Sequence, residues 1–474
     1  MGRKRLLGIT VLGDFIINEG VEAVLANIVD RAGVNAVALN PTVTTLSKPG
    51  LGTFQPPSDA GSSPRLFDRP LWNQYSMWVR SAPSYFPCKS FYTDSPYKSR
   101  QPNELTSKYG HLIERFINEA LDRGLKVYLQ LSAVTPPNLL DSDRPRKPDG
   151  QIPDRMADTG CLASEGIRAY NEAYVRDLLE KYPQITGFRP DWPEYPCYKL
   201  EEAFQDFNPQ VEDWAQKHHF NYKSIHEEVQ GAYNYLHGYL TNQDLIDLGS
   251  SSRGGMTLAH IFRSFPGILE WLRLKTALSL DLLQHWRSLV TTYGGPEKEV
   301  SANAFMTPLT LWTGFDYKQG AALCDAISPK LYTMHWSVMV EFWGRTLMAW
   351  NPKLDERLLV RALVNIFDLS ENITAKSIDD YGYPGPQISH PIPNEVQLRR
   401  IERVMAEVGG KALVTPLMHG YGPIHDFARR FRVVAESTAD GIWINRYGYL
   451  SNAKLDAVGR IWRMSSSGGN YDSA

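Results

Sequence analysis

The chain has 474 residues, with 50 lysines and arginines against 52 aspartates and glutamates. A chain of this length can bury a large core, because domains commonly contain ~100 to 200 residues and barrels contain more. The nearly balanced charge gives no general attraction to nucleic acid or to an anionic membrane surface, so we expect neither as a partner. The composition favours a small-molecule partner instead.

Targeting and metal-binding signals are weak. The cysteines lie far apart, at Cys88, Cys161, Cys197 and Cys324. They form no C-x-x-C pair and no zinc-site spacing, so we expect free thiols, no metal and no cofactor. Gly8, Thr10 and Gly13 interrupt the apolar run that a signal peptide needs, and no segment approaches the ~20 apolar residues of a membrane span. We therefore expect a cytoplasmic protein. The sequence leaves open whether it forms a homo-oligomer.

Strand and helix patterns alternate along the chain. The segment "LLGITVL" predicts a first strand, an amphipathic helix follows it, and "NAVALN" predicts a second strand. Eight strands are predicted in this way, at residues 6–12, 35–40, 126–133, 185–188, 299–306, 326–332, 412–418 and 441–445. Eight such alternations favour a closed (β/α)8 TIM barrel over an open parallel sheet. No glycine-rich phosphate loop follows the first strand, which argues against a dinucleotide-binding domain.

Two segments exceed what a minimal barrel needs. Residues 45–104 are rich in proline, serine and glycine, and predict a loop excursion after the second strand. Residues 200–295 predict a helical insertion after strand four, on the side where barrels build their substrate clefts. We predict a single catalytic barrel over residues 5–465, followed by a flexible tail over residues 466–474.

Two carboxylates and an arginine lie at the end of the fourth strand, in "GFRPDWPEYPCY". Residues just past the carboxyl end of a barrel strand face the active site, and the prolines end the strand here, so both acids are expected at the cleft rim. Two carboxylates can divide the work of glycoside cleavage, with Glu194 as the general acid and Asp191 as the second catalytic group. A structural ion pair with Arg189 is the alternative.

Two stretches resemble a known family. "RAYNEAYVRDLLEKYPQITGFRPDWPEYP" is similar to the passage from helix four to strand four of uncharacterised bacterial glycosidase-like TIM barrels, and "DAISPKLY" resembles their strand-six end. "DWPEYP" also resembles the D-x-D-W-E-Y-P strand end of chitinase-type barrels, whose glutamate is the proton donor and whose preceding aspartate assists an acetamido group. The resemblance implies that Glu194 is the acid. Pro193 is inserted and Arg189 replaces an aspartate of that pattern, which disfavours substrate-assisted chitinase chemistry.

Polar and aromatic side chains at the strand ends supply the predicted substrate-binding set. Its members are Asp14, Asn40, Arg189, Asn303, Lys330, Tyr332, His335, Trp336, His419, Tyr421, Asn445 and Arg446. Such groups suit the hydroxyls of a sugar, with tryptophan available to stack on its apolar face. Each residue alone is more often a packing residue, so their joint placement at one rim carries the interpretation.

The end of strand seven lacks the carboxylate that retaining barrel glycosidases with a strand-four acid usually place there. The segment "VTPLMHGYGP" has no acid before Asp426, and the substitutes Asp316 and Glu341 fall in predicted helical segments. The predicted function is a glycoside hydrolase acting on an oligosaccharide or glycoconjugate, and the second catalytic carboxylate stays open.

Two alternatives remain. One is a metal-dependent sugar isomerase, epimerase or lyase that uses Asp191, Glu194, His335 and His419 as ligands or bases. The other is a non-catalytic sugar-binding barrel, which the missing strand-seven carboxylate favours. A metal assay of the purified protein distinguishes the metal-dependent enzyme from a hydrolase. Hydrolysis of aryl-glycosides distinguishes a hydrolase from the non-catalytic sugar-binding barrel.

Overall fold

Parallel strands form a closed barrel at the centre of the protein. The computed structural model describes residues 5–45, 68–69, 80–156, 158–369 and 377–466. The barrel strands are Leu6–Val11, Ala36–Leu39, Lys126–Ser132, Gly187–Asp191, Glu299–Ala304, Ala326–Leu331, the two segments Leu413–Val414 and Leu417–His419, and Gly441–Asn445. Each strand pairs with its neighbour in chain order, and the eighth pairs with the first. The predicted (β/α)8 fold is confirmed.

The seventh strand is split because a proline lies within it. Pro416 has no amide hydrogen to donate, so ladder pairing breaks between Leu413–Val414 and Leu417–His419. Both segments still pair with the sixth strand, through Ala326 opposite Leu413 and Lys330 opposite Leu417. The barrel therefore closes despite the interruption.

Helices surround the strands. The α-helices are Gly13–Asn18, Val21–Ala26, Glu104–Asp122, Glu165–Lys181, Leu200–Ala203, Pro209–Lys217, Tyr222–Leu236, Asn242–Leu248, Gly254–Ser264, Gly267–Gly294, Thr310–Thr313, Tyr317–Gly320, Thr333–Trp350, Glu356–Ile366, Asn394–Val408, Ile424–Glu436 and Asn452–Ser466. In Glu104–Asp122, Asn103 caps the first turn by accepting the amide of Leu105, and Ile113, Phe116 and Ile117 are buried. None of the helices in the described ranges is long and apolar enough to cross a bilayer.

Six helices lie between the fourth and fifth strands. The last of them, Gly267–Gly294, packs against Glu165–Lys181 and against both strands, as the outer helix of a barrel unit does. Of the other five, Tyr222–Leu236 packs against Gly267–Gly294. A separate antiparallel pair, Thr42–Thr45 with Arg80–Pro83, follows the second strand. Most of the predicted loop excursion and nearly all of the predicted tail lie outside the described residues.

The barrel interior holds a buried cation below its mouth. Arg189 is fully buried and donates to Ser301 Oγ at 2.8 Å, Asn303 Oδ1 at 2.6 Å and Ser328 Oγ at 3.2 Å. Its guanidinium lies 3.8 Å from the ring centre of Trp443. Trp443 in turn requires a glycine on the first strand, because a Cβ on Gly8 would lie 2.3 Å from the indole. This layer forms the floor of the site above it.

Candidate functional site

Every barrel strand contributes a polar residue at or near its carboxyl end. These residues, here called the polar ring, are Thr10, Asn40, Gln130, Asp191, Asn303, Lys330, His419 and Asn445. Side chains alternate in direction along a strand, so every second residue points inward and the eight residues share one mouth. The register shows that the ring is staggered, with Asp191 opposite Asn303 and His419 opposite Asn445, but with Gln130 opposite Arg189 and Lys330 opposite Leu417. The structure thus brings together six of the predicted site residues in a single ring.

An ion pair within the polar ring joins the fourth and sixth strands. Lys330 Nζ lies 2.8 Å from Asp191 Oδ1, and the two side chains are 3% and 24% exposed. The ammonium also lies 4.1 Å from the ring centre of Trp192. Burial lowers the pKa of Lys330, and the Asp191 carboxylate opposes that shift. Asp191 is therefore the carboxylate of the strand-four motif that faces the mouth.

The residue between the two acids has a strained backbone. Trp192 has φ of 54°, in the left-handed region that residues with a Cβ rarely adopt. Its amide donates to Asn303 O at 3.3 Å, which ties the strained peptide to the fifth strand. Strain of this kind costs ~1 to 3 kcal/mol and is often found at functional sites. Here it places the indole against Lys330.

Glu194 lies inside the protein and not at the rim, which corrects the predicted placement. It is fully buried, with Oε1 accepting the Phe305 amide at 2.6 Å and Oε2 accepting the Thr313 hydroxyl. The loop turns inward because the next residue, Tyr195, donates its amide to Thr313 O at 3.1 Å. Burial raises the pKa of Glu194 to about 7, against the hydrogen bond from Thr313 and the charge of Lys330.

One helix holds both peptide segments around Glu194. In Gly267–Gly294, Lys275 and Ser279 lie on the same face, one turn apart, and both are buried. Ser279 Oγ donates to Pro193 O at 2.7 Å, directly before Glu194. Lys275 Nζ donates to the carbonyls of Ala203 and Trp312, the second of which directly precedes Thr313. No sequence signal pointed to these contacts, because Lys275 and Ser279 are remote from every strand end.

A hydrogen-bonded chain connects strands one, eight and six. Thr10 Oγ1 donates to Asn445 Oδ1 at 2.7 Å, and Asn445 Nδ2 donates to the Tyr332 hydroxyl at 2.8 Å. The Tyr332 oxygen acts as an acceptor in this contact, so its own hydrogen can be donated elsewhere. Thr10 was not among the predicted residues. The inward alternation that starts from Gly8 would have found it.

Two histidines flank Tyr332. His335 and His419 lie edge-on to it, with ring centres 5.4 Å and 5.3 Å away. His419 Nδ1 accepts the amide of Tyr421 at 3.1 Å, so the neutral imidazole carries its proton on Nε2. Tyr421 is buried behind His419, and its hydroxyl donates to Pro384 O at 2.9 Å.

Several predicted residues are placed differently from expectation. Arg189 lies below the ring, in the barrel interior. Trp336 points to the outer helices, where the Arg400 guanidinium lies 4.1 Å from its ring, because consecutive helix residues point ~100° apart and His335 takes the inner face. Asp14 accepts the Thr44 hydroxyl at 2.8 Å, and burial raises its pKa.

Arg446 lies near the mouth, whereas the two candidate nucleophiles, Asp316 and Glu341, pair with residues outside it. Arg446 is close enough to the mouth to lower the pKa of Tyr332, whose burial raises it. The proposed substitutes for a strand-seven carboxylate have structural partners instead. Asp316 caps a short helix by accepting the Gln319 amide at 2.8 Å, and Glu341 pairs with Arg345 at 2.8 Å. Neither one is supported as a nucleophile.

Buried polar atoms without protein partners lie at the ring. Arg189 can only donate, so it fixes Asn303 Oδ1 as the acceptor and leaves Asn303 Nδ2 as a donor. In the described part of the chain, Asn303 Nδ2, Trp192 Nε1 and Gln130 Oε1 are buried and have no hydrogen-bond partner. Such groups are costly unless a ligand or water satisfies them. The ring therefore offers both donors and acceptors to a polar molecule.

Comparisons with known proteins place the chain by its fold. No family description and no curated protein matches the sequence. The structure is similar to the catalytic domain of β-amylase from Paenibacillus polymyxa, with a TM-score of 0.50, 10% identity and 98% of each chain covered. It is also similar to a β-galactosidase from Rahnella sp. R3, with a TM-score of 0.42, 10% identity, and 98% of this chain and 56% of that chain covered. The predicted resemblance to glycosidase-like TIM barrels is confirmed at the level of fold.

Proposed function

We propose that the protein is a glycoside hydrolase of carbohydrate metabolism that acts on an oligosaccharide or glycoconjugate. The observation that carries this proposal is the difference in surroundings between the two strand-four acids. Asp191 faces the mouth beside a buried ammonium group, whereas burial holds the pKa of Glu194 at about 7. Two carboxyl groups with such different environments suit the acid and the charged partner of glycoside cleavage. The barrel shared with a β-amylase catalytic domain supports this by analogy of fold.

Glu194 is the proposed general acid. Its Oε1 accepts the Phe305 amide, so the proton of the neutral acid lies on Oε2, and the Thr313 hydroxyl, which donates to the charged carboxylate, then turns to accept it. Because Glu194 has no exposed area, we propose a relay in which the Thr313 hydroxyl accepts this proton and gives its own to the leaving oxygen; Thr313 is itself fully buried, so the relay requires the substrate to displace the residues that cover it. Asp191 stabilises the positive charge that develops on the sugar ring as the bond breaks.

The polar ring is the proposed sugar subsite. Asn303 Nδ2, Trp192 Nε1 and the Tyr332 hydroxyl would donate to ring and hydroxyl oxygens, and Gln130 Oε1 would accept from a hydroxyl. His419 would donate from Nε2. The Trp192 ring, which makes a cation–π contact with Lys330, offers the apolar surface beside these groups.

The test is hydrolysis of a panel of aryl-glycosides and unactivated oligosaccharides by the parent, Asp191→Asn and Glu194→Gln. Glu341→Gln is the matched control, because it makes the same chemical change in a carboxylate paired with Arg345. We expect both site variants to lose activity and the control to retain it. Equal rates in the parent and both site variants would remove the strand-four acids from the mechanism.

A non-catalytic sugar-binding barrel is the second candidate. It is favoured by the seventh strand, whose ring position is His419 and not a carboxylate, and by the complete burial of Glu194. Saturable sugar binding by a parent protein that hydrolyses no member of the panel would establish this alternative. For the metal-dependent alternative, the described ranges contain no group of three or more His, Cys, Asp or Glu side chains placed to hold an ion. A metal assay of the purified protein is its direct test.

A further inference from the structure

An apolar cavity lies among helices that follow the fourth, fifth and sixth strands. Its volume is about 130 Å³, and the side chains around it expose no polar atom to it. Its walls include Phe204, Leu236, Phe262, Trp271, Trp312 and Trp343. Apolar cavities of this kind stay dry, and one of ~150 Å³ is large enough to bind benzene. Water is therefore a poor occupant, because a buried water needs about two to four polar partners and the lining offers at most Trp271 Nε1, which has no hydrogen-bond partner among the described residues.

The cavity is covered by a helix that has little other packing. In Gly254–Ser264, only Gly254 is buried, while Leu258, Ile261 and Phe262 line the cavity. Met256 on the same helix is 75% exposed. The segment "GSSSRGG" precedes most of the helix and "SFPG" follows it, so residues of low helical preference flank it on both sides. A loosely packed cover of this kind provides a route of entry for a ligand.

The walls also connect the cavity to the candidate site. Trp312 lies in the wall and directly precedes Thr313, whose hydroxyl bonds to Glu194. Trp343 Nε1 donates to Cys197 O at 3.2 Å, next to Tyr198. The Tyr198 ring in turn lies 5.1 Å from that of His335. Contacts between neighbouring residues thus link the cavity wall to Glu194 and to His335.

We propose that this cavity is a binding site for a compact alkyl or aryl group, with benzene and its monosubstituted derivatives as the fitting size class. Shape and chemistry both select this class, because the lining supplies dispersion contacts and no hydrogen bonds. The proposal does not depend on the hydrolase assignment, since the cavity shares no residue with the polar ring.

Fluorobenzene is the probe, and its binding to the full chain is measured by ¹⁹F NMR. Glucose, which carries no phenyl group, is the polar control ligand. The expected result is a saturable bound signal that excess benzene displaces. Methyl-labelled isoleucine locates the site without any substitution: Ile261, Ile268 and Ile366 line the cavity and should shift, whereas the exposed Ile424 should not. No bound signal up to the solubility of fluorobenzene, or shifts confined to other isoleucines, would overturn the proposal.

Cavity-filling variants give a second test. Ala232 and Ala362 lie on different helices that line the cavity, and leucine at either position would occupy part of it. We expect Ala232→Leu and Ala362→Leu to weaken fluorobenzene binding at least tenfold in whichever variant folds. A folded variant with unchanged affinity would place the ligand elsewhere. If neither variant folds, the isoleucine shifts in the parent decide the question.

Discussion

The Lys330 ammonium group lies 2.8 Å from the Asp191 carboxylate, across the fifth strand that separates their two strands in the barrel. The lysine is 3% exposed, so this carboxylate is its main charge partner in a region of low dielectric. Lys330 also interacts electrostatically with Glu194. One buried cation therefore links the two acids of the strand-four motif.

Replacing Glu194 by glutamine should impair catalysis selectively. Glutamine keeps the size and the hydrogen bond from Phe305 but carries no transferable proton. We expect turnover on substrates with poor leaving groups to fall by ~10² to 10⁴, the range usual for general acid catalysis. Activated aryl-glycosides should lose less, because their leaving groups need little protonation. Steady-state kinetics on matched substrates measure the difference, and equal losses on both types would assign Glu194 a structural role.

The same group should make stability depend on pH. The pKa of Glu194 is raised from 4.5 to about 7 in the folded protein. The protonated form therefore stabilises the fold fully below pH 4.5, and this contribution is lost as the pH rises through about 7. The shift corresponds to at most about 3 to 4 kcal/mol. Denaturant unfolding between pH 4 and 8 should show a decline in the parent that Glu194→Gln lacks; parallel curves would argue against a raised pKa.

The ion pair should be strongly coupled in a double-mutant cycle. Asp191→Asn leaves the Lys330 charge buried without its partner, and removing one member of a buried pair typically costs ~3 to 5 kcal/mol. Adding Lys330→Met removes the unpaired buried charge, so the double variant should regain part of the lost free energy of unfolding. Urea unfolding of the four proteins gives a coupling energy, which we expect to exceed ~1 kcal/mol. Additive losses would mean that the pair contributes little in solution.

Replacing Thr313 by valine should raise the pKa of Glu194 above its parent value. Valine has a similar shape but lacks the hydroxyl that bonds to Oε2, and this hydrogen bond lowers the pKa. The carboxyl infrared band of Glu194, identified by its loss in Glu194→Gln, should then titrate at higher pH. If Thr313 also carries the proton, hydrolysis should slow even at a pH where Glu194 is protonated. Unchanged titration would show that the hydroxyl bonds elsewhere.

Lys275 should influence Glu194 from outside the barrel. Burial lowers the pKa of Lys275 to about 7, so below that pH Lys275→Met removes a buried positive charge together with its bond to the Trp312 carbonyl, and we expect the pKa of Glu194 to rise. The control is Lys454→Met, because Lys454 is also buried and donates to two carbonyls, those of Gly420 and Tyr449, although it pairs in addition with Asp68 at 2.7 Å. Both variants should lose stability, but only Lys275→Met should shift the infrared titration of Glu194. A shift of the same size in both would reduce Lys275 to a general packing role.

The sequence by itself determined the barrel and much of the polar ring. Alternating strand and helix patterns identified all eight strands, because burial on both faces makes each strand a short apolar run that periodicity detects. In a parallel barrel every strand ends on the same side, so polar residues at those ends had to meet at one mouth. Asp191, Asn303, Lys330 and Asn445 could therefore be placed together without knowledge of a single distance.

Tertiary structure alone decided which groups face the mouth and what surrounds them. Glu194 is turned inward by bonds from Phe305 and Thr313, which are 111 and 119 residues away in the chain. Lys275 reaches the same region from a helix whose pattern predicts only burial. Trp336 and His335 are neighbours in sequence, yet only the packing of their helix shows which one lies beside Tyr332. Contacts between distant segments depend on the relative positions of whole elements, and local periodicity carries no information about those positions.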